Sequence, residues 1–380
     1  MKTLEECRQE IDEIDQQMIR LFEKRLNVGK DVVLYKKAHQ MQIFQPDREK
    51  LVIEKNVNRM ENEKLKKYGA MFIQSMMDIS KDYQFTFLDE SLDLTPQKPL
   101  TPSQDLKVGF QGVEGAFGEL ALRTYFKENV AMKHYDEFEA VFKALDRDEI
   151  DYGIVPIENS STGAINNVYD LIRNYGLYIV GEQSISISQN LLGLKQTKLD
   201  EVQEVYSHPQ GLAQSSKFLQ NYPNIKQIPY NNTAMAAKLV ASMQDPTKVA
   251  IASKQAAKLY GLTVLKENIH DDLTNHTRFI VIGKNLENVN ENNRISILCS
   301  LEHRVGALST ILNIIKESEL NMVRIESRPI PTLPWQYYFY IDFEGNIENP
   351  LVEEALNKIA RQTQKLRILG TYKQSQGERL

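Results

Sequence analysis

Residues 4–37, LEECRQEIDEIDQQMIRLFEKRLNVGKDVVLYKK, decide how the chain is read. The apolar positions Leu4, Cys7, Ile11, Ile14, Met18, Leu21, Val28, Val32 and Tyr35 recur in steps of three and four. That spacing predicts one long helix with a single apolar seam. No proline interrupts it, and Gly29 is its only residue of such weak helix propensity. At 1.5 Å per residue the helix would run roughly 50 Å, longer than a small domain is wide. A seam of that length requires a partner of similar length, and a second copy of the chain is the simplest one.

Arg25 falls where the repeat calls for an apolar residue, and Arg8 and Lys36 lie at the seam's edge. Arg25 and Lys36 are close to three whole turns apart and share a face. A cation on a buried seam is costly unless paired. Acids on neighbouring helices would pair it, and so would a small ligand with several carboxylates. A second helix is expected from Pro46 over 46–67, with Leu51, Val57 and Met60 inward and Tyr68-Gly69 ending it. A third is expected over 70–87, with Ile73, Met76, Ser80, Gln84 and Phe87 on one stripe. Ser80 and Gln84, one turn apart on this oily face, would form the far wall of a pocket that holds Arg25 and Lys36.

Arg8 in "CRQEI", Arg25 in "EKRLNVGK", Lys36, "IFQPDREKLV" and the Ser80/Gln84 pair together resemble the all-helical chorismate mutases, over residues 1–88. The resemblance implies an intertwined homodimer. Arg25 and the partner chain's copy of Arg8 would hold the substrate carboxylates, with Ser80 in support. Lys36 and Gln84 would donate to the ether oxygen, Glu49 would accept from the ring hydroxyl and Arg48 would brace the site. Gln45 stands where that family usually has Asp, which removes a charge. The implied reaction, chorismate to prephenate, is pericyclic and needs no acid, base or nucleophile. It needs a compact conformer held in place and charge stabilised on an ether oxygen, which cations and neutral donors supply.

The chain has 380 residues, 42% hydrophobic and 26% charged, the balance of an ordinary protein of two or three domains. A net charge of −5 gives no basic field for nucleic acid. Two cysteines, Cys7 and Cys299, show no metal-ligand spacing and suit packed thiols in a reducing compartment. The charged start and the lack of a long apolar run point to the cytoplasm, with no membrane partner. Residues 89–105, DESLDLTPQKPLTPSQD, with three prolines and no periodicity, read as a linker.

Over 106–285 short apolar strands such as "LKVGF", "YGIVPI", "KVAIAS" and "RFIVIG" alternate with helical stretches. The alternation predicts an α/β domain, open to division into two lobes with a cleft, with ligands near the carboxyl ends of its strands. The glycines of "GFQGVEGAFG" fit neither a dinucleotide fingerprint nor a phosphate loop. Polar loops follow strands at 156–165, 206–211 and 275–283; His208 in one of them suits a turn or cap better than a catalytic base. As a set, "PIENSSTGAI", "SHPQ", "NNTAMAA" and "TRF" resemble prephenate dehydratase. The resemblance implies that Thr277 is essential, as a donor to the departing hydroxyl. Asn159, Ser161, Gln210, Asn232, Thr233 and Arg278 would line the pocket. No cofactor or metal is implied.

Residues 292–375 follow the order strand-helix-strand-strand-helix-strand, the ferredoxin-like plan. "GAL" (Gly306, Ala307, Leu308) and "ESRP" (Glu326, Ser327, Arg328, Pro329) make this unit resemble an ACT domain that binds phenylalanine as an inhibitory effector. The expected whole is multidomain: an all-α mutase domain, a two-lobed α/β dehydratase domain and an α+β ACT domain. It would convert chorismate to prephenate and prephenate to phenylpyruvate, as a homodimer or higher homo-oligomer. A solute-binding module for the centre and a plain dimerisation coiled coil for the start are the competing classes. Arogenate competes with prephenate as substrate.

Overall fold

The computed structural model describes residues 2–39, 46–85, 87, 92, 95–100, 105–127, 130–331 and 333–375. The chain divides into two compact units, Met1–Leu92 and Asp93–Leu380.

In the first unit α1 spans Leu4–Ala38, α2 Pro46–Val57 and α3 Lys66–Phe85, and α3 packs on both others. The expected second helix is shorter than predicted. It stops at Val57, Asn62 caps a single 3-10 turn by accepting from Lys64 N, and α3 starts at once. Tyr68-Gly69 therefore lies inside α3, where Met60 packs over Gly69, rather than at a break. Among the described residues of this unit the seam of α1 is left uncovered: Leu4, Ile11 and Leu21 are 69%, 55% and 67% exposed, and Val28, Val32 and Tyr35 are also exposed. What α3 covers is a different stripe, with Gly29 and Val33 buried and Phe22, Arg25, Leu26 and Lys36 half-buried. Both halves of the seam, Leu4 to Leu21 and Val28 to Tyr35, lie off the side that α3 covers.

The second unit begins with two α/β lobes. In the first are β1 (Lys107–Gln111), α4 (Phe117–Phe126), β2 (Ala131–Tyr135), α5 (Phe138–Asp146), β3 (Tyr152–Asn159), β4 (Gly163–Ala164), α6 (Asn166–Tyr175) and β5 (Tyr178–Ser186). The chain then crosses to the second lobe: β6 (Asn190–Gly193), β7 (Glu204–Ser207), α7 (Pro209–Gln214), α8 (Ser216–Gln220), β8 (Lys226–Pro229), α9 (Thr233–Met243), β9 (Lys248–Ala252), α10 (Lys254–Tyr260) and β10 (Thr263–Lys266). It returns as β11 (His276–Gly283), which slots between β3 and β5 in the order β2-β1-β3-β11-β5. The second sheet runs β10-β6-β9-β7-β8. Val/Ile/Leu-rich strands buried on both faces explain the near-continuous apolar runs of β3, β9 and β11.

Part of the expected linker is laid on this body. Gln97 N donates to Leu286 O at 2.8 Å, and Leu100 N donates to the Tyr152 hydroxyl at 3.0 Å.

The third part holds β12 (Arg294–Ser300), α11 (Ala307–Glu317), β13 (Met322–Pro329), β14 (Tyr337–Glu344), α12 (Pro350–Arg361) and β15 (Lys365–Tyr372), with sheet order β13-β14-β12-β15, as the ferredoxin-like plan requires. Leu298, Tyr340, Leu369 and Tyr372 of this sheet share one core with Leu171, Ile172 and Ile179 of the first lobe.

Candidate active sites

Two sites emerge. In the helical unit Arg25 and Lys36 share the α3-facing stripe of α1 with Gly29, and Ser80 and Gln84 lie opposite. A Cβ built on Gly29 would stand 3.2 Å from both Ser80 Oγ and Gln84 Nε2, so the missing side chain is what lets the polar pair approach α1. Gln84 Nε2 donates to Ser80 Oγ at 3.2 Å, and Ser80 is buried. Among the described residues Arg25 Nη1 is buried without a hydrogen-bond partner, and burial lowers the guanidinium's pKa. A charge desolvated in this way favours an anionic partner. Arg8 is solvent-exposed and 3.9 Å from Glu5, away from this stripe, and Arg48 is exposed. Gln45 and the side chain of Glu49 lie outside the described residues.

The second site is a cleft of about 400 Å³ between the two lobes. Its centre is set by strand register. Asn159 ends β3 and Thr277 is the second residue of β11, and the two are paired across the antiparallel ladder. Asn159 Oδ1 accepts from Ser161 N at 3.0 Å, Thr162 N at 3.1 Å and Thr162 Oγ1 at 3.3 Å. Backbone donors fix which end of the amide is oxygen. Nδ2 therefore points to Asn275 Oδ1 at 2.7 Å and to Thr277 Oγ1 at 2.9 Å. Thr277, 8% exposed, accepts from Asn159 and keeps its own hydrogen for a third party; among the described residues no acceptor takes it.

The second lobe closes the other wall. Gln210 Nε2 donates to Thr162 Oγ1 at 3.2 Å, a hydrogen bond from lobe to lobe. His208 caps α7 by accepting from Gln210 N through Nδ1 at 3.2 Å, and burial lowers its pKa. Asn232 caps α9 by accepting from Met235 N at 2.9 Å, with Thr233 at the first helical position. The starts of α4, α7 and α9 all border the cleft. Among the described residues lining it there is no Lys, Arg, Asp or Glu. The N-terminal ends of α4 and α9 border it, and helix N-termini carry partial positive charge.

Two expected pocket residues are elsewhere. Strand alternation sends Arg278 to the opposite face from Thr277 and Phe279. There its guanidinium meets Glu158 at 3.4 Å, Glu182 at 3.2 Å and Asp342 of β14 at 3.2 Å. Burial opposes that charge, but Asp342 and Glu182 outweigh it and hold the pKa up. Ser161 is exposed on the rim and its hydroxyl donates to Asp272. Sequence reasoning missed Gln189, Gln214 and Phe138, which line the cleft. Each sits outside the polar loops that drew attention.

In the third part Gly306 precedes α11 at φ +82°, with nothing within 4 Å of a Cβ built there. Its requirement is the left-handed backbone rather than close approach. Glu326 lies 3.8 Å from Arg324, which in turn meets Glu158 at 3.0 Å, and Ser327 is exposed. Arg328 is tied to Asp170 of the first lobe at 2.7 Å, a bridge between domains.

The chain matches family profiles for chorismate mutase type II over residues 7–85, prephenate dehydratase over 108–287 and the ACT domain over 295–361. It is 31% identical over 379 residues to the bifunctional chorismate mutase/prephenate dehydratase of Stutzerimonas stutzeri, covering 97% of each chain. Among solved structures, the prephenate dehydratase of Arthrobacter aurescens in complex with L-Phe is 27% identical at a TM-score of 0.65, over 71% of this chain and 90% of that one. A quorum-quenching acylase, GqqA, gives the same identity and TM-score over 71% and 98%.

Proposed function

The chain belongs to the bifunctional chorismate mutase/prephenate dehydratase family, and we propose which of its residues perform the two reactions. The enzyme rearranges chorismate to prephenate in the helical unit, and removes water and carbon dioxide from prephenate in the cleft to give phenylpyruvate. Arg25, with Arg8 from a second copy, holds the dianion's carboxylates, and Ser80 supports one of them. Lys36 and Gln84 donate to the ether oxygen, and Arg48, Glu49 and Gln45 complete the site. The exposed seam of α1 is the surface on which the second copy lies, so the working form is a homodimer or larger. An unpartnered apolar stripe of this length is not stable in water.

The observation that carries the dehydratase half is the Asn159–Thr277 hydrogen bond. Asn159 fills one acceptor position of Thr277 Oγ, which directs the hydroxyl hydrogen into the cleft. Thr277 donates to the ring hydroxyl as its C–O bond breaks, while the ring carboxylate leaves as carbon dioxide and the ring becomes aromatic. An alcohol is too weak an acid to transfer its proton fully at neutral pH, so Thr277 stabilises growing charge on the departing oxygen. Gln210, Asn232 and Thr233 hold the pyruvyl carboxylate with neutral donors and helix starts in place of a cation. Fold alone does not carry an acylase reaction to this chain.

The third part senses phenylalanine, as its likeness to a dehydratase crystallised with L-Phe suggests. Gly306, Ala307 and Leu308 receive the carboxylate at the start of α11, and Glu326, Ser327 and Arg328 lie at the site's other side. Phenylalanine feedback inhibition follows, and the cytoplasm is the expected compartment. Among the described residues no helix is long and apolar enough to cross a membrane. One coupled assay from chorismate, with and without phenylalanine, tests the whole scheme. Phenylpyruvate, read by its ultraviolet absorbance, should form and should decline with the effector. Absence of phenylpyruvate, or no thermal shift on adding phenylalanine, would reject the corresponding part.

A further inference from the structure

Gln189 lies where the chain first crosses between the lobes, and nothing so far assigns it a role. It is 3% exposed and lines the same cleft as Thr277 and Asn159. Its backbone is clamped on both sides: Gln189 N donates to His270 Nδ1 at 3.3 Å, and Gln189 O accepts from Ile269 N at 2.8 Å. Its side-chain Nε2 donates to Gln214 Oε1 at 3.4 Å. Among the described residues its buried Oε1 has no hydrogen-bond partner. An orphaned acceptor at this depth carries a desolvation cost unless a ligand satisfies it.

The identity of that ligand group follows from counting donors. The cleft's donors are the Thr277 hydroxyl, side-chain amide N–H groups and helix-start N–H groups, while the amide oxygens of Asn159, Asn232 and Gln214 already accept hydrogen bonds within the protein. Those donors suit carboxylates and a keto oxygen. An amide oxygen suits none of these and needs an O–H or N–H. Prephenate as a dianion carries a single O–H, the ring hydroxyl. We propose that Gln189 Oε1 accepts the hydrogen bond of that ring hydroxyl, so that Gln189 and Thr277 grip the leaving oxygen from opposite sides. Gln189 holds the O–H hydrogen, and the oxygen's lone pair is thereby turned to receive the Thr277 hydrogen. This rests on the dehydratase assignment of the cleft. It adds to it a specificity residue that distinguishes substrate from product, since phenylpyruvate has no ring hydroxyl.

Two variants in the full-length enzyme test this. Gln189→Met keeps length and shape and removes the acceptor; kcat/KM for prephenate should fall about tenfold or more, while the inhibition constant of phenylpyruvate stays within twofold. Gln189→Glu keeps an acceptor but places a negative charge beside a dianion. Its kcat/KM relative to wild type should rise as pH falls from 8 to 6 and the carboxyl protonates, a signature that a purely structural residue would not produce. An unchanged kcat/KM in Gln189→Met, an equal loss of phenylpyruvate binding, or a flat pH ratio in Gln189→Glu would each overturn the assignment. Thr277→Ala separates the two levels of inference. If that variant still dehydrated prephenate, the cleft's assignment itself would fail; if only the Gln189 variants behaved as wild type, the cleft's assignment would stand without this contact.

Discussion

The proposed mutase pocket and dehydratase cleft handle two isomeric dianions with opposite means. The proposed helical site works with formal charge: among the described residues Arg25 has a buried guanidinium nitrogen with no hydrogen-bond partner, and Lys36 shares its face. The cleft has no charged side chain among its described lining residues and works with amides, a threonine and helix starts. The reactions explain the contrast. The mutase must compress a flexible substrate and release it whole, so tight grips on both carboxylates are useful. The dehydratase must let one carboxylate depart as neutral carbon dioxide, and a cation on that group would stabilise the ground state it has to leave. Neutral donors hold without trapping.

The sharpest way to break this comparison is to disable each site alone. Thr277→Ala should lower dehydratase kcat by roughly 10²–10⁴-fold, with mutase turnover unchanged. Lys36→Ala should lower mutase kcat/KM by roughly 10²–10³-fold, with dehydration of added prephenate unchanged. Separate assays on chorismate and prephenate read both. Loss of both activities in either variant would mean that the sites are not independent.

Next in size is the ion cluster behind the cleft. Arg278 is nearly buried between Glu182 and Asp342, and Arg294 also reaches Glu182 at 3.5 Å. Removing one partner of a buried cluster leaves charges uncompensated. Arg278→Met should destabilise the Asp93–Leu380 unit by about 3–5 kcal/mol, measured by denaturant unfolding. Were Arg278 instead a substrate ligand, prephenate KM would rise with stability unchanged.

How far the sequence carried differs between the two regions for a physical reason. Helical periodicity exposed Arg25 as an anomaly because a cation on an apolar seam violates burial rules, and Ser80 and Gln84 stood out on α3 for the same cause. The boundary between α2 and α3 was misplaced because Gly69 looked like a stop, whereas Asn62 supplies the cap that starts the new helix. In the cleft no residue violates a local rule. Asn159, Gln210 and Asn232 could each be explained by a turn or a cap, and Asn159 and Asn232 do perform those local roles. Only resemblance singled them out. Resemblance also carried Arg278 into the pocket, because a motif names neighbours in sequence while a strand sends them to opposite faces. Gln189 was invisible for the converse reason: its meaning lies in a hydrogen bond that it does not make.

Gly29 offers a smaller, two-sided test of the helical site. Gly29→Ala should favour the isolated helix by roughly 0.8–1 kcal/mol. Yet its methyl group would stand 3.2 Å from Ser80 Oγ and Gln84 Nε2 and push them outward. Chorismate kcat/KM should fall several-fold, about tenfold at most, while the melting temperature holds or rises. A loss of stability together with activity would show that the glycine serves packing rather than the pocket.

The gentlest probe is pH, and it should separate the two regions by direction. In the helical site Gln84 and Ser80 do not titrate, and an arginine with a lowered pKa remains charged. Mutase activity should therefore change by less than about twofold from neutral to moderately alkaline pH, as expected of a pericyclic reaction held by fixed donors. The cleft contains His208, whose pKa burial lowers and whose Nδ1 must stay unprotonated to cap α7. A histidine with a folded-state pKa below its unfolded value of about 6.5 contributes fully above that value. The contribution is lost as pH falls through it toward the folded pKa. Dehydratase activity and the melting temperature of its unit should thus both decline between pH 7 and pH 5. His208→Asn keeps a capping acceptor and removes the titration. Its acid limb should flatten. An acid limb that persisted in His208→Asn would assign the titration to another group and leave the cleft's neutrality resting on Thr277 and the amides alone.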